Sequence, residues 1–240
     1  MTLSPLSGSL KPLGIAPRMY TAYARRVLAT QPANLIAYWP LMESAGSVGL
    51  DFSGYGRNGT YSGSLVYGDT GIGDGWSSPY FEGTNCKSDV TTPMTGVFNG
   101  LEGTAMLWVK RPSWNENWRD AITCQSATGS WFAFRATPAT GQMVLYYFGG
   151  GVDKTVTVSG LSGSGWYCFA LSWSKTADQV KGYCNGVQSG STLTGVGAWT
   201  GAVSFFRIGN RSYWWLGNLA HCAIWNTALS DAQVLALGSV

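Results

Sequence analysis

The groups able to do acid–base or covalent chemistry are few in this chain of 240 residues. Its acidic side chains come closest to a pair in the stretch WNENWRD, where Glu116 and Asp120 fall in what reads as a loop. Cleaving a glycosidic bond requires two flanking carboxylates, one as nucleophile or base and one as acid, and no strand-like run here alternates Glu with Asp. The one histidine, His221, lies between Ala220 and Cys222 in an apolar run, the setting of a structural imidazole rather than a base. No Ser or Cys can be matched with a base and an orienting third group. The five cysteines, Cys86, Cys124, Cys168, Cys184 and Cys222, lack the close paired spacing of a zinc site or redox motif. Several fall in apolar runs such as WYCFALSW and read as reduced, buried, small hydrophobes. The chain is therefore expected not to be an enzyme. Aromatic surface, in contrast, is plentiful, with 12 Trp and 12 Tyr. Trp114, Trp118, Trp199, Trp214 and Trp215 fall in loop-like segments, where a ring can stack on a sugar while neighbouring Asn or Asp bond its hydroxyls. The same rings can equally pack on one another or on a neighbouring subunit.

Charge narrows the partners. Only 11% of the residues are charged, the formal net charge is +3, and Lys and Arg are scattered, so no basic stripe marks a nucleic-acid or acidic-lipid surface. No apolar run approaches the roughly 20 residues of a membrane span, and the first residues lack a basic start followed by an apolar stretch, which together predict folding in a cytoplasm and no membrane insertion.

The elements that must position these groups change character along the chain. Residues 1–17 hold Pro12 and Pro17 among Ser, Gly and Leu with no burial period, and read as an arm. The stretch PRMYTAYARRVLAT follows, with Met19, Tyr20, Tyr23, Ala24, Val27 and Leu28 on one stripe at helical spacing. This short helix either packs on its own domain or anchors the chain to another subunit. From Leu35 to Asn226, short apolar or alternating runs recur between Gly, Asn, Asp and Ser turns, the pattern of an antiparallel sandwich. In WYCFALSW, Tyr167, Phe169, Leu171 and Trp173 share the face expected to build the core, and Asn185-Gly186 supplies a type I′ hairpin turn. Ser230 and Gln233 form a capping box opening a last helix. Val234, Leu235 and Leu237 are expected to face inward there, and Gly238 to end it. Trp39, Trp108, Trp173 and Trp225 are expected to be buried.

These stretches, taken in order, carry a resemblance. LIAYWPLMESAG followed by DFSGYGRNGTYSG, then GTAMLWVK, GWYCFALSWS, VKGYCNGVQSG and FRIGNRSYWWLGNLAHCAIWNTALSDAQVLAL resemble the laminin G-like members of the concanavalin A-like lectin and glucanase superfamily. The resemblance implies an all-β jelly-roll sandwich of two antiparallel sheets over residues 34–240, preceded by an arm and helix over residues 1–33, and usual work in binding glycans or proteins. Many relatives hold calcium through an early Asp-x-Ser-Gly, a following Asn-Gly and a late Asp. Asp51, Ser53 and Asn58 match the first two, while Ala220 stands at the late position with no side-chain oxygen. Structural calcium at this corner is thus implied, and a turn stabilised by Asp and Asn is the competing reading.

The arm and helix followed by LIAYWPL also resemble laminin G-like structural proteins of tailed bacteriophages. That implies a virion protein, decorating the capsid or sitting on the tail, which assembles in the host cytoplasm. Its expected partners are other virion proteins, further copies of itself exchanging arms around a threefold axis through Met19, Tyr20, Tyr23, Val27 and Leu28, and a cell-surface glycan. The alternative is a carbohydrate-binding lectin module of a bacterial adhesin.

Overall fold

Runs that alternate in polarity between turn residues become strands, and the two amphipathic stretches become helices. The computed structural model describes residues 20–138 and 141–240, so the expected arm and Met19 lie outside the described residues. In chain order come α1 (Ala22–Ala29), β1 (Leu35–Trp39), β2 (Val48–Gly49), β3 (Gly59–Ser62), β4 (Leu65–Thr70), β5 (Ser77–Glu82) and β6 (Lys87–Asp89). Next are α2 (Thr91–Met94), β7 (Glu102–Lys110), β8 (Arg119–Ser126), β9 (Trp131–Thr137), β10 (Gln142–Gly149) and β11 (Val152–Val158). The chain closes with β12 (Trp166–Ser174), β13 (Gln179–Cys184), β14 (Val187–Leu193), β15 (Val203–Ile208), β16 (Leu216–Trp225) and α3 (Asp231–Leu237).

The strands form two antiparallel sheets facing each other in a jelly-roll sandwich, as expected. The first sheet runs β14-β13-β12-β7-β16-β5-β4, with β1 also pairing β16. The second runs β11-β10-β9-β8-β15-β6-β3-β2. Strand β16 is central because β7 takes one edge while β5 and β1 share the other. Its register against β7 shifts between Ala220 and Ala223, where His221 adopts φ +51° and donates its N–H to the Pro40 carbonyl at 2.9 Å. This is a bulge, and it re-aims the histidine. The Asn185-Gly186 turn has φ of +49° and +81°, as a two-residue primed hairpin turn requires.

Two hydrophobic cores result. Between the sheets, Trp39, Leu107, Phe132, Phe134, Phe169, Leu171, Trp173, Phe206 and Ile224 interlock. A second core lies on the outer face of the first sheet, where Met106, Trp108, Cys168, Ala170, Ala223 and Trp225 meet Tyr23 and Val27 of α1 and Val234 and Leu237 of α3. Strand β12 is consequently buried on both faces, not on the one that alternation alone predicts. Trp39, Trp108, Trp173 and Trp225 are all buried, as expected.

The helical stripe expected as an assembly anchor is used within the chain. Tyr23 and Val27 are buried and Tyr20 and Leu28 pack against the same cluster. The Tyr23 hydroxyl donates to the Leu237 carbonyl at 2.8 Å and accepts the Trp108 indole N–H at 2.6 Å, so it joins α1, β7 and α3. Trp225 donates to the Thr30 carbonyl at 2.7 Å just beyond the helix. Burying each such side chain contributes about 1.5–3 kcal/mol, which makes α1 part of the sandwich rather than an appendage. The capping box of α3 is present, with Ser230 and Gln233 bonded reciprocally. Leu235, expected inward, is instead 56% exposed, because only Val234 and Leu237 lie on the strip that meets the sheet.

Candidate functional site

The outer face of the second sheet has no covering helix core among the described residues, and its alternating positions carry an unusual set of side chains. Register places them in rows. Phe205, Gln125, Trp131, Phe148 and Asp153 are successive partners across β15, β8, β9, β10 and β11. Arg207, Thr123, Ala133, Tyr146 and Thr155 form the next row, and Asp120, Arg135 and Val144 the third. Successive residues of a strand face opposite sides, so these rings and guanidinium groups point away from the inter-sheet core that Phe132, Phe134, Leu145 and Tyr147 fill.

The rings touch. Trp131 lies 5.2 Å from Tyr146 and 6.2 Å from Phe148 between centroids, the latter stacked. Trp118, 36% exposed, stacks on Tyr213, 40% exposed, at 6.2 Å. Arg135 bridges the two groups, its Cζ standing 6.0 Å from the Tyr146 ring, 5.9 Å from Trp118 and 5.3 Å from Tyr213. Arg211 lies over Trp131 at 4.5 Å and donates to the Gln125 amide oxygen at 3.1 Å. Burial, with the charge of Arg135 adding to it, holds the Arg211 guanidinium below its usual range, and Arg211 forms no ion pair among the described residues.

A buried carboxylate holds this arrangement. Asp120, whose side chain is 0% exposed, accepts Arg135 Nε at 2.6 Å on one oxygen and the backbone N–H groups of Ser212 and Tyr213 at 2.9 and 3.0 Å on the other. Its own N–H donates to the Tyr213 carbonyl at 3.1 Å. One residue thus fixes both Arg135 and the loop that carries Arg211 and Tyr213. Asp120 was expected in a loop beside Glu116; it stands in β8, committed to structure. Asp89 is similarly engaged by Arg207 and Lys87. Burial alone would raise its carboxyl, and the Thr91 hydrogen bonds with the two cations outweigh that and lower it.

Of the five tryptophans expected to meet a sugar, Trp118 alone joins this surface. Trp114, Trp199 and Trp215 are 3%, 5% and 0% exposed and fill the inter-sheet core. Trp214 is half-buried, and its carbonyl accepts Arg119 at 3.0 Å. Trp131, Tyr146, Phe148, Arg135, Tyr213 and Arg211 escaped the sequence reading. The signal was present in SWFAFRA and MVLYYF, whose outward phase carries rings and arginine where a solvated face ordinarily carries small polar residues.

The corner of Asp51, Ser53 and Asn58 does not fit calcium. Asp51 Oδ1 accepts the backbone N–H of Tyr38 and Ser53 at 3.0 and 2.9 Å, and Oδ2 accepts the Ser53 hydroxyl at 2.7 Å and the Arg57 N–H at 2.9 Å. The Asn58 side-chain oxygen accepts the Asp51 N–H at 2.9 Å. Four donors converge on a carboxylate that a cation would need facing itself, and the competing reading as a turn accounts for all three residues. Among the described residues no group of three His, Cys, Asp or Glu is placed to hold a metal.

His221 belongs to the covered face. Its Nδ1 lies 2.7 Å from the Tyr38 hydroxyl and Nε2 lies 3.3 Å from Asp74, which also accepts Thr21 at 2.8 Å. Burial lowers the imidazole pKa against the opposing pull of Asp74, and burial likewise keeps Tyr38 protonated. A neutral imidazole that donates from Nε2 to Asp74 and accepts from Tyr38 satisfies every partner. The histidine is structural, 2% exposed beneath Tyr23 and Trp76. The five cysteines are unpaired, and all but Cys184 are buried.

A two-sheet jelly roll with helices over one face and half-buried rings on the other is a lectin-like sandwich. The chain belongs to the concanavalin A-like lectin/glucanases superfamily, whose laminin G-type family model matches residues 82–235. No curated protein matches it. Among solved structures it is similar to domain 4 of AbnA, an extracellular arabinanase of Geobacillus stearothermophilus in complex with arabinotriose, with 20% identity, a TM-score of 0.60 and coverage of 86% of this chain and 98% of that one. It is also similar to the receptor-binding domain of a botulinum neurotoxin C/D mosaic serotype, with 12% identity, a TM-score of 0.66 and coverage of 86% of this chain and 51% of that chain. A Trypanosoma rangeli sialidase mutant displaying trans-sialidase activity matches with 14% identity, a TM-score of 0.67 and coverage of 90% and 36%. The chain therefore spans about half of the toxin domain and about a third of the sialidase.

Proposed function

We propose that this protein is a non-enzymatic carbohydrate-binding module that engages glycan through the outer face of the second sheet. The observation that carries this reading is the contiguous set Trp131, Tyr146, Phe148, Trp118 and Tyr213, bridged by Arg135 and left without a helical cover, whereas the centre of the first sheet lies beneath α1 and α3. Flat rings stack on the C–H faces of sugars, and Arg211, Gln125 and Arg207 stand beside them to bond hydroxyls or an acid group. The non-enzymatic part of the reading is supported by two carboxylates of the face: Asp120 and Asp89 are each held by arginine, so neither is free to act as nucleophile or acid beside Asp153. The arabinanase domain was solved with arabinotriose, which makes that trisaccharide a first probe beside an array of neutral and acidic glycans. The double variant Trp131→Ala/Tyr146→Ala is expected to lose binding at least about tenfold while keeping its dichroism spectrum, since stacking and burial on such rings contribute on the order of 1–3 kcal/mol. Unchanged affinity removes this face from consideration.

The setting we propose is a tailed-phage virion, as a capsid decoration or tail component present in several copies. Support comes from the resemblance of the helix and first strand to phage structural proteins, and from five thiols left unpaired, as suits folding in a reducing cytoplasm. Particles purified through two density gradients are expected to carry the protein at fixed stoichiometry; recovery only in the soluble fraction rejects this setting.

A further inference from the structure

We infer that Arg111 anchors a buried oxyanion site where two segments, residues 111–118 and 209–215, cross from one sheet to the other at the same end of the sandwich. Arg111 follows β7 directly, is 0% exposed, and has its Cζ 5.5 Å from the Trp114 ring centroid and 5.6 Å from that of Trp215. Its Nε, Nη1 and Nη2 have no hydrogen-bond partner among the described residues. The indole N–H groups of Trp114 and Trp215 and Nε of Arg119 are also buried and unpartnered. Every one of these atoms is a donor. Such a concentration of unsatisfied donors around one cation lacks any acceptor to complete it, and buried polar groups are otherwise paired almost without exception.

The chain does not supply the missing acceptor as a carboxylate. Glu116 influences Arg111 through its charge yet forms no ion pair with it. The segments outside the described residues, 1–19 and 139–140, contain no Asp or Glu. Burial lowers the Arg111 pKa to about 10, so the side chain stays cationic at neutral pH. A buried charge without a counter-ion is strongly unfavourable, and the ring faces offset only part of that cost. The planar guanidinium presents its N–H groups as a fork that fits two oxygens of a phosphate, sulfate or carboxylate, a geometry a spherical halide does not match. Gly217 lets β16 pass close to the backbone at Lys110 and Arg111. It has φ +128°, and a Cβ there would collide with the Lys110 carbonyl immediately before Arg111.

This inference is independent of the glycan reading, because Trp114 and Trp215 are enclosed whereas Trp118 and Tyr213 of the same two segments are on the surface. The wild-type protein is expected to show a melting temperature that rises saturably with inorganic phosphate at constant ionic strength and remains flat with chloride. Arg111→Met should abolish the response, and Glu116→Gln should preserve or steepen it by removing a competing carboxylate. Glucuronate in place of phosphate separates the sources of the oxyanion: response to phosphate alone assigns a free inorganic ion, response to both admits the acid group of a sugar, and response to neither overturns the site. Should Arg111→Met fail to fold, crystals of the wild type grown with selenate decide the matter. Anomalous selenium density within hydrogen-bonding distance of Arg111 supports the site; ordered water alone there, or Glu116 turned in to pair with Arg111, refutes it.

Discussion

On the outer face of the first sheet, Trp108, Trp225 and Tyr38 lie beneath α1 and α3, and the polar atom of each ring has a partner within the chain; on the outer face of the second, Trp131, Tyr146 and Phe148 are half-buried beside arginine with no helix over them. The two sheets are equal in strand number, eight each. Coverage alone separates them. A covered face rewards exact fit, so it holds a bulge, a buried histidine and a set of indole and phenol hydrogen bonds that serve stability. Half-buried large rings without a cover leave hydrophobic area in water, and contiguous patches of that kind commonly mark binding surfaces.

The comparison breaks most readily at α1. Removing residues 1–33 takes away Tyr23, Ala24 and Val27 and uncovers Trp108 and Trp225. The loss is expected to exceed 5 kcal/mol as an order of magnitude, most of the stability of a typical domain. The truncated chain should be unfolded or aggregated by dichroism and light scattering. A cooperative melt would mean that the first face does not depend on its cover.

Next in size is the ion pair on the open face. Arg135→Met leaves Asp120 buried without its cation, a change that costs about 3–5 kcal/mol, toward the lower end here because Ser212 and Tyr213 still donate. Urea denaturation should show it. Protection of the 210–213 amides against hydrogen exchange should fall with it, since the same carboxylate holds that loop.

Acid should act mainly on the covered face. The His221 pKa is lowered by burial from its ordinary 6.5, so the contribution of the neutral imidazole is complete above pH 6.5 and is lost as pH falls toward the folded value. Burial raises the Asp74 carboxyl, and its bonds from His221 and Thr21 more than reverse this, so a second loss begins only below the ordinary 3.8. One proton allows a slope of at most about 1.4 kcal/mol per pH unit. His221→Asn, which tolerates a positive φ, should flatten the stability profile between pH 6.5 and 5. A profile identical to wild type assigns that slope to another group.

The smallest expected effect on stability belongs to the rings of the open face. Trp131→Ala should change unfolding free energy by about 1 kcal/mol or less, as at surface positions generally, while its effect on glycan binding is large. A stability loss as great as that of Tyr23→Ala, about 3–5 kcal/mol, would make Trp131 a core residue.

Periodicity and turn chemistry made the sandwich, the Asn185-Gly186 hairpin, the capping box of Ser230 and the buried Trp39, Trp108, Trp173 and Trp225 legible in the sequence, because each depends on residues a few positions apart. The tertiary structure alone decided which faces were covered. Phe169 and Cys168 are equally buried on opposite sides of β12, which no alternation can reveal, since the cover for Cys168 comes from α1 and α3 at the two ends of the chain. Trp114 and Trp118, four residues apart in one loop, divide between core and surface: Trp114 meets Tyr167 and Phe169 edge-on, Trp118 stacks on the exposed Tyr213, and these partners lie far along the chain. The calcium motif misled for the same reason: Asp51 and Asn58 have the right side chains, yet the backbone donors of Tyr38, Ser53 and Arg57 occupy the carboxylate, and only folding brings Tyr38 there. Local pattern sets which residues can point outward. Long-range packing sets what, if anything, they meet.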